Sequence, residues 1–386
     1  MSRAGIVRIG VRVAALLAIS VVGAEVALRM LGVAAPTPGG YPRGLYASDP
    51  TLSFRLASDF EGDMITADRT VSIRTNAEGF RDAPFGAKRP GVLRIAALGD
   101  SFSFGHNVAD DDAYPTLLEG LLSTPEREVE VLNLGVPGYS TLQHLAQLEL
   151  LGPELAPDLV LCGTYLGNDL SDNLLRRSPR PRARQGFLIQ AEADEPDWRV
   201  SLRANLNRYS RLWRLFGDWR RRRELRAIEL SDGGLRGAYC ELAQWSASVA
   251  LELHLAEPTA DATEAMEISR NTFASLHAFC RDTLGAPLAV ALLPHPLQYD
   301  PAGLVAIQRD CGLDPAAYDL DKPNTELTAH AQETGYPLLD LTPHFRERVA
   351  TAPGERLYFD IHFNEQGHLL AAEAIAAFLG ERGLVR

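Results

Sequence analysis

Five short apolar runs alternating with stretches of helical periodicity constrain the fold of this chain more than any other feature. They are Leu93–Leu98, Val129–Leu134, Leu159–Cys162, Leu288–Leu293 and Tyr336–Leu341. Such alternation predicts an α/β architecture, a doubly wound sheet of about five parallel strands with helices on both faces. A chain of 386 residues has room for roughly two to three average domains, yet one α/β unit with attachments accounts for it. The gap between the third and fourth runs far exceeds a crossover helix and its loops. Residues 171–285 therefore read as an insertion, with helical patterns at Cys240–Leu255 and Ala262–Leu284. It serves either as a helical cap over the catalytic face or as a peripheral decoration.

Ligands in open α/β sheets gather outside the carboxyl ends of the strands, so the turns after these runs hold the candidate chemistry. Leu93–Leu98 leads into Gly99-Asp100-Ser101-Phe102-Ser103-Phe104-Gly105. A helix starting after Ser101 would aim free backbone N–H groups and a partial positive charge at that serine, although Asp-Ser is also an ordinary helix cap. Serine needs a base to act as a nucleophile, and His362, in Tyr358-Phe359-Asp360-Ile361-His362, is the candidate, with Asp360 to orient it. Two more strand ends can supply oxyanion donors: Gly138 in Gly135-Val136-Pro137-Gly138, and the Asn168 amide in Leu166-Gly167-Asn168-Asp169.

Ser, Gly, Asn and His in this order resemble the four blocks of the SGNH, or GDSL-type, hydrolase superfamily, over most of 91–170 and from about 286 onward. The resemblance implies a flavodoxin-like fold and Ser101 as nucleophile. It also implies an oxyanion hole from the Ser101 N–H, the Gly138 N–H and Asn168. Gly138 is preferred to Gly135 because the Asn-to-Gly spacing counted from Asn133 lands on it. In the commonest family pattern the acid precedes the histidine by three residues; here Phe359 holds that place and Asp360 lies two before His362. This spacing resembles a branch with membrane-associated members and alginate O-acetyltransferases. Were Asp360 turned away, a backbone carbonyl or Asp340 would be the substitute orienter.

The N-terminus adds a location. Arg3, Arg8 and Arg12 precede an apolar stretch that continues past Glu25 and Arg29 to Ala35, so residues 1–35 read as an uncleaved membrane helix, with a removed signal or an interfacial helix as alternatives. Arginines on the cytoplasmic side place the catalytic domain, 91–386, outside, periplasmic or extracellular. Residues 36–90 read as a tether and a β-rich extension. Within it Asn76–Asp82 resembles a stretch that precedes the first block in membrane-associated members, where Phe80 is expected to bury and Arg81 to pair with a carboxylate.

A net charge of −12 argues against a general nucleic-acid binder. Lys88 and Lys322 are the only lysines, so the run Arg220–Arg223 reflects compositional bias, or else a basic patch for anionic glycans or lipids. The four cysteines lack metal spacing; Cys162 reads as a core residue, and sequence does not pair Cys240, Cys280 or Cys311. Asp110–Asp112 reads as the solvated start of a helix rather than a cation site. The expected activity is a serine esterase acting on an acylated small molecule, lipid or glycan, without metal or organic cofactor. An O-acyltransferase of envelope or exported polysaccharide shares the same acyl-enzyme, and a catalytically silent glycan-binding module is the third reading.

Overall fold

The computed structural model describes residues 3–31, 41–42, 44–65, 69–177, 182–184, 187–189, 198–199, 202, 205–206, 209–213, 215–216, 252–300, 314–359 and 361–385. The chain divides into two compact units, Met1–Gly39 with Asp194–Ala238, and Gly40–Ala193 with Tyr239–Arg386.

The larger unit is built on a parallel five-stranded sheet of β5 (Leu93–Leu98), β6 (Val129–Asn133), β7 (Leu159–Tyr165), β10 (Leu288–Leu293) and β11 (Leu338–Asp340). Short antiparallel pairs precede and interrupt it: β1 (Tyr46–Asp49) with β2 (Ser53–Leu56), β3 (Glu61–Ile65) with β4 (Thr70–Arg74), and β8 (Arg182–Arg184) with β9 (Phe187–Ile189). Sheet order is β11-β10-β7-β5-β6. Counted along the sheet strands alone, this is the flavodoxin-like order, whose switch point lies between the first and third strands, here β5 and β7.

Both faces are covered, which is why the central strands read as unbroken apolar runs. Ala96 and Leu98, Val160 and Cys162, and Val290 and Leu292 face one core. Helices α4 (Thr141–Leu155), α5 (Ala260–Phe279) and α7 (Lys322–Thr334) complete it through Leu148, Phe273, Leu276 and Leu327. The alternate residues Ile95, Leu161 and Ala289 face a second core with Leu118 of α3 (Tyr114–Leu122), Tyr299 of α6 (Pro296–Tyr299), Phe345 of α8 (Thr342–Thr351) and Ile375 of α9 (Glu365–Glu381). Two strand limits differ from the sequence reading. The third strand runs on through Gly163, Thr164 and Tyr165, which pair with Ala291, Leu292 and Leu293. The fifth is cut to three residues because it is an edge strand paired only to β10.

The N-terminal hairpins add Leu45, Phe54, Met64 and Ile73 to the first core. Phe80 is buried, and the Arg81 guanidinium is buried with its Nε 2.5 Å from Asp110 Oδ1. Asp110 is exposed at the start of a 3-10 turn that leads into Tyr114–Leu122, as the sequence reading expects, and it is also the carboxylate that pairs with Arg81. Cys162 and Cys280 are buried free thiols, and Cys240 and Cys311 lie outside the described residues. So do Arg220–Arg223 and all of the Cys240–Leu255 pattern before Glu252.

The smaller unit contains α1 (Arg3–Met30) and helical pieces between 198 and 216. Val11–Met30 is long and apolar enough to cross a membrane, about 30 Å at 1.5 Å per residue. Of its three charged residues, Arg12, Glu25 and Arg29, the last two are paired: Arg29 Nε donates to Glu25 Oε1 at 3.0 Å. Glu25 also accepts from the backbone N–H groups of Arg211 (2.9 Å) and Leu212 (3.1 Å) and from Ser210 Oγ (3.1 Å). A carboxylate here satisfies the first donors of the helical turn that begins at Arg211.

Candidate active site

Strand β5 is buried along its length and turns at Gly99, where a Cβ would come within 1.8 Å of Ser103 Oγ. Only glycine allows so tight a return into the short helix α2 (Ser101–Phe104). Asp100 caps that helix: its Oδ1 accepts from the Phe102 N–H at 2.9 Å. The cap reading of Asp-Ser thus falls on Asp100 and does not conflict with the nucleophile reading of Ser101. As the first residue of the helix, Ser101 has an N–H with no intrahelical acceptor. The other end of α2 is held by Arg81, which donates to the carbonyls of Gly105 (2.6 Å), Val108 (2.9 Å) and Phe104 (3.2 Å).

Ser101 Oγ lies 2.9 Å from His362 Nε2 and 3.1 Å from Asp100 Oδ2. His362 sits on a turn closed by the Phe359 N–H to the His362 carbonyl (3.0 Å) and by the Tyr358–Phe363 bridge. Asn364 then caps α9 by accepting from the Gly367 N–H. Phe363 buries against Phe102 and Phe345, which fixes the turn from below. The expected orienter, Asp360, lies outside the described residues. Asp340 is engaged elsewhere: its Oδ1 accepts from the Thr342 N–H at 2.9 Å and Asn324 Nδ2 at 2.7 Å. His368 is buried inside α9, where its Nδ1 accepts from the Tyr114 N–H and burial pushes its pKa down to about 3.

The oxyanion candidates stand at the ends of the strands flanking β5. Gly138, at φ +85°, lies in the turn after β6, and the Val136 N–H bonds the Gly99 carbonyl at 3.0 Å. Asn133 ties that turn to the nucleophile helix, donating from Nδ2 to the Ser103 carbonyl (2.8 Å) and accepting from the Gly135 N–H (3.0 Å). Gly135 itself is pressed on α2; a Cβ there would lie 2.4 Å from the Phe104 nitrogen. Asn168 follows β7, and its Nδ2 donates to Asp172 Oδ2 at 2.6 Å. One amide hydrogen is thereby engaged, which sets the orientation of the amide plane.

Three features had no counterpart in the sequence reading. Asp172 holds the Asn168 amide, and burial pushes its own pKa up to about 7. The His106 ring lies 4.0 Å from the His362 ring, centroid to centroid, and its Nδ1 is 2.7 Å from Tyr41 Oη. Asp100 and Asp169 are both fully buried, and burial, together with each other's charge at Asp169, raises their pKa. Asp169 Oδ2 accepts from the Tyr165 N–H, whereas its Oδ1 meets no donor among the described residues. Burial and mutual repulsion disfavour two negative charges on the pair. Only the i,i+4 spacing of Asn168 and Asp172 was visible in sequence. His106 and Tyr41 are 65 positions apart. Among the described residues no group of three His, Cys, Asp or Glu side chains is disposed to hold a metal ion.

No family model and no curated protein matches the sequence. Solved structures similar to this chain include a two-domain esterase active on acetylated mannans, at 13% identity and a TM-score of 0.39, over 75% of this chain and 50% of that one. A catalytic variant of Axe2, an acetylxylan esterase from Geobacillus stearothermophilus, aligns at 14% identity and a TM-score of 0.40, over 75% of this chain and 94% of that one. For TesA the figures are 13%, 0.36, 75% and 98%. This chain spans half the length of the two-domain esterase.

Proposed function

We propose that this chain is a serine esterase of the SGNH type, anchored in the membrane by α1 with its catalytic unit on the extracytoplasmic side. The observation that carries the proposal is the 2.9 Å contact between Ser101 Oγ and His362 Nε2, made at the carboxyl end of β5 beside the switch point. His362 takes the Ser101 proton as Oγ attacks the carbonyl carbon of an O-acyl ester. The negative charge that develops on the carbonyl oxygen is met by the Ser101 N–H, the Gly138 N–H and the free hydrogen of the Asn168 amide. His362, oriented by Asp360, returns the proton to the departing alcohol, leaving an acyl-enzyme. Water then repeats the sequence and releases the acid.

We assign one shared proton to the buried pair Asp100 and Asp169, and it bears on the first step. Ser101 Oγ has two acceptors in reach, and a fully charged Asp100 would compete with His362 for its hydrogen. Spreading one charge over the buried pair weakens that competitor.

The test is acid release from short-chain p-nitrophenyl esters by the full chain in detergent, beside Ser101→Ala, with and without an oligosaccharide acceptor. We expect release that requires Ser101 and ignores the sugar. Acyl transfer that outruns hydrolysis would replace the esterase reading by an O-acyltransferase on envelope or exported polysaccharide. Failure of Ser101 to react with a serine-directed phosphonate in folded protein would leave a silent glycan-binding module.

A further inference from the structure

The smaller unit bears a second polar and aromatic element besides α1. Between Trp198 and Phe216 the sequence holds five arginines and no carboxylate, in a chain whose net charge is −12. Two of its four tryptophans, Trp198 and Trp213, lie in the same stretch. In the folded chain Trp198, Leu202, Tyr209, Trp213, Leu215 and Phe216 are all exposed, which is unusual for so many large apolar side chains so close together. They are fastened to α1: besides the Glu25 bonds, Arg29 Nη2 donates to the Tyr209 carbonyl at 2.7 Å, and Arg211 Nη1 to the Leu28 carbonyl at 2.9 Å.

The attachment point sets a depth. Glu25 lies five residues from the end of the apolar stretch Val11–Met30, about 7.5 Å along the helix axis. Leu28 and Arg29, the other attachment points, lie within about 3 Å of that end, so the element straddles the boundary between acyl chains and headgroups, where tryptophan and tyrosine concentrate because their rings are part apolar and part polar. An excess of arginine at the same level matches an anionic leaflet, with the aliphatic stems in the acyl boundary and the guanidinium groups on phosphate. We infer that the segment 198–216 is a membrane-interface element that lies on anionic phospholipid headgroups beside the exit of α1. The chain then holds the bilayer at two places, one spanning and one lateral. This inference rests on the reading of α1 as a membrane anchor.

The full chain in nanodiscs tests it, because the tryptophans report their own depth. Lipids brominated near the headgroup end of the acyl chain should quench at least half of the tryptophan emission in discs containing phosphatidylglycerol, and at least twofold less in phosphatidylcholine discs. Trp219→Phe combined with Trp245→Phe removes the two tryptophans outside the segment, and quenching should persist in the double variant. Carbonate extraction of cell membranes separates the two readings. A chain that resists carbonate while its tryptophans stay unquenched would overturn the lateral contact and leave the anchor standing. Release by carbonate would overturn both, and equal quenching in neutral discs would overturn the role assigned to the arginines.

Discussion

At the scale of single residues the site depends on hydrogen bonds that decide where one proton or one amide points. Asn168→Ala removes the donor proposed to meet the oxyanion and should lower kcat about a hundredfold to a thousandfold with KM nearly unchanged. Asp172→Ala keeps the amide but frees it to rotate; we expect a loss of about tenfold in kcat, since misplacing a catalytic group costs less than deleting it. Steady-state kinetics on p-nitrophenyl acetate distinguish the two, and equal losses would mean that Asp172 acts on something other than Asn168. Ser101 and His362 stood out in sequence because each sits in a polar turn beside an apolar or helical run. Asp172 did not, because an aspartate four residues past an asparagine has many uses until the strand before it is placed. His106 could not be found from sequence at all: it faces His362 and Tyr41 only through tertiary contact.

At the scale of elements, the nucleophile helix is too short to hold itself, because four residues cannot close enough intrahelical bonds to offset the ordering of the backbone. Neighbours hold it instead. Asp100 caps its start, Asn133 takes the Ser103 carbonyl, and Arg81 binds the three carbonyls beyond its end. Arg81→Ala leaves those carbonyls buried without a donor, and it should destabilise the α/β unit by about 3 kcal/mol. Arg81→Lys should recover part of that loss, since an ammonium keeps the charge but lacks the planar fork. Urea unfolding of the two variants checks this; a loss below about 1 kcal/mol for Arg81→Ala would mean that water reaches the carbonyls. The central strands were legible as apolar runs because both their faces are covered. The end of β7 was not, because Gly163, Thr164 and Tyr165 read as a turn in isolation and are strand only by pairing with β10. The side chains of the Asn76–Asp82 stretch were anticipated by type, Phe80 to the core and Arg81 to a carboxylate, whereas which carboxylate depended on the loop after α2.

At the scale of the whole molecule, buried acids and buried histidines pull stability in opposite directions with pH. Burial lowers the pKa of His144, His295 and His368 to about 3 and that of His254 to about 4. The unfolded chain therefore binds protons below pH ~6.5 that the folded chain refuses, and stability from these groups is lost as pH falls. Burial raises Asp82 and Asp172 to about 7, and it raises Asp100 and Asp169. Here the folded chain keeps protons that the unfolded chain releases above pH ~4, so stability from these groups is lost as pH rises through their folded values. The two sets offset each other between about pH 4 and 6.5, and above that only the acids still titrate. Asp169, lifted well above the carboxylate range, carries the loss furthest into alkali. Asp169→Asn replaces a neutral acid by a neutral amide, whose oxygen can accept from the Tyr165 N–H while its NH₂ donates to Asp100. The wild-type thermal midpoint should fall by about 5 °C between pH 6.5 and 9, and the variant by less than half of that. Parallel slopes for the two proteins would place the alkaline loss elsewhere and would dissolve the shared proton beneath Ser101.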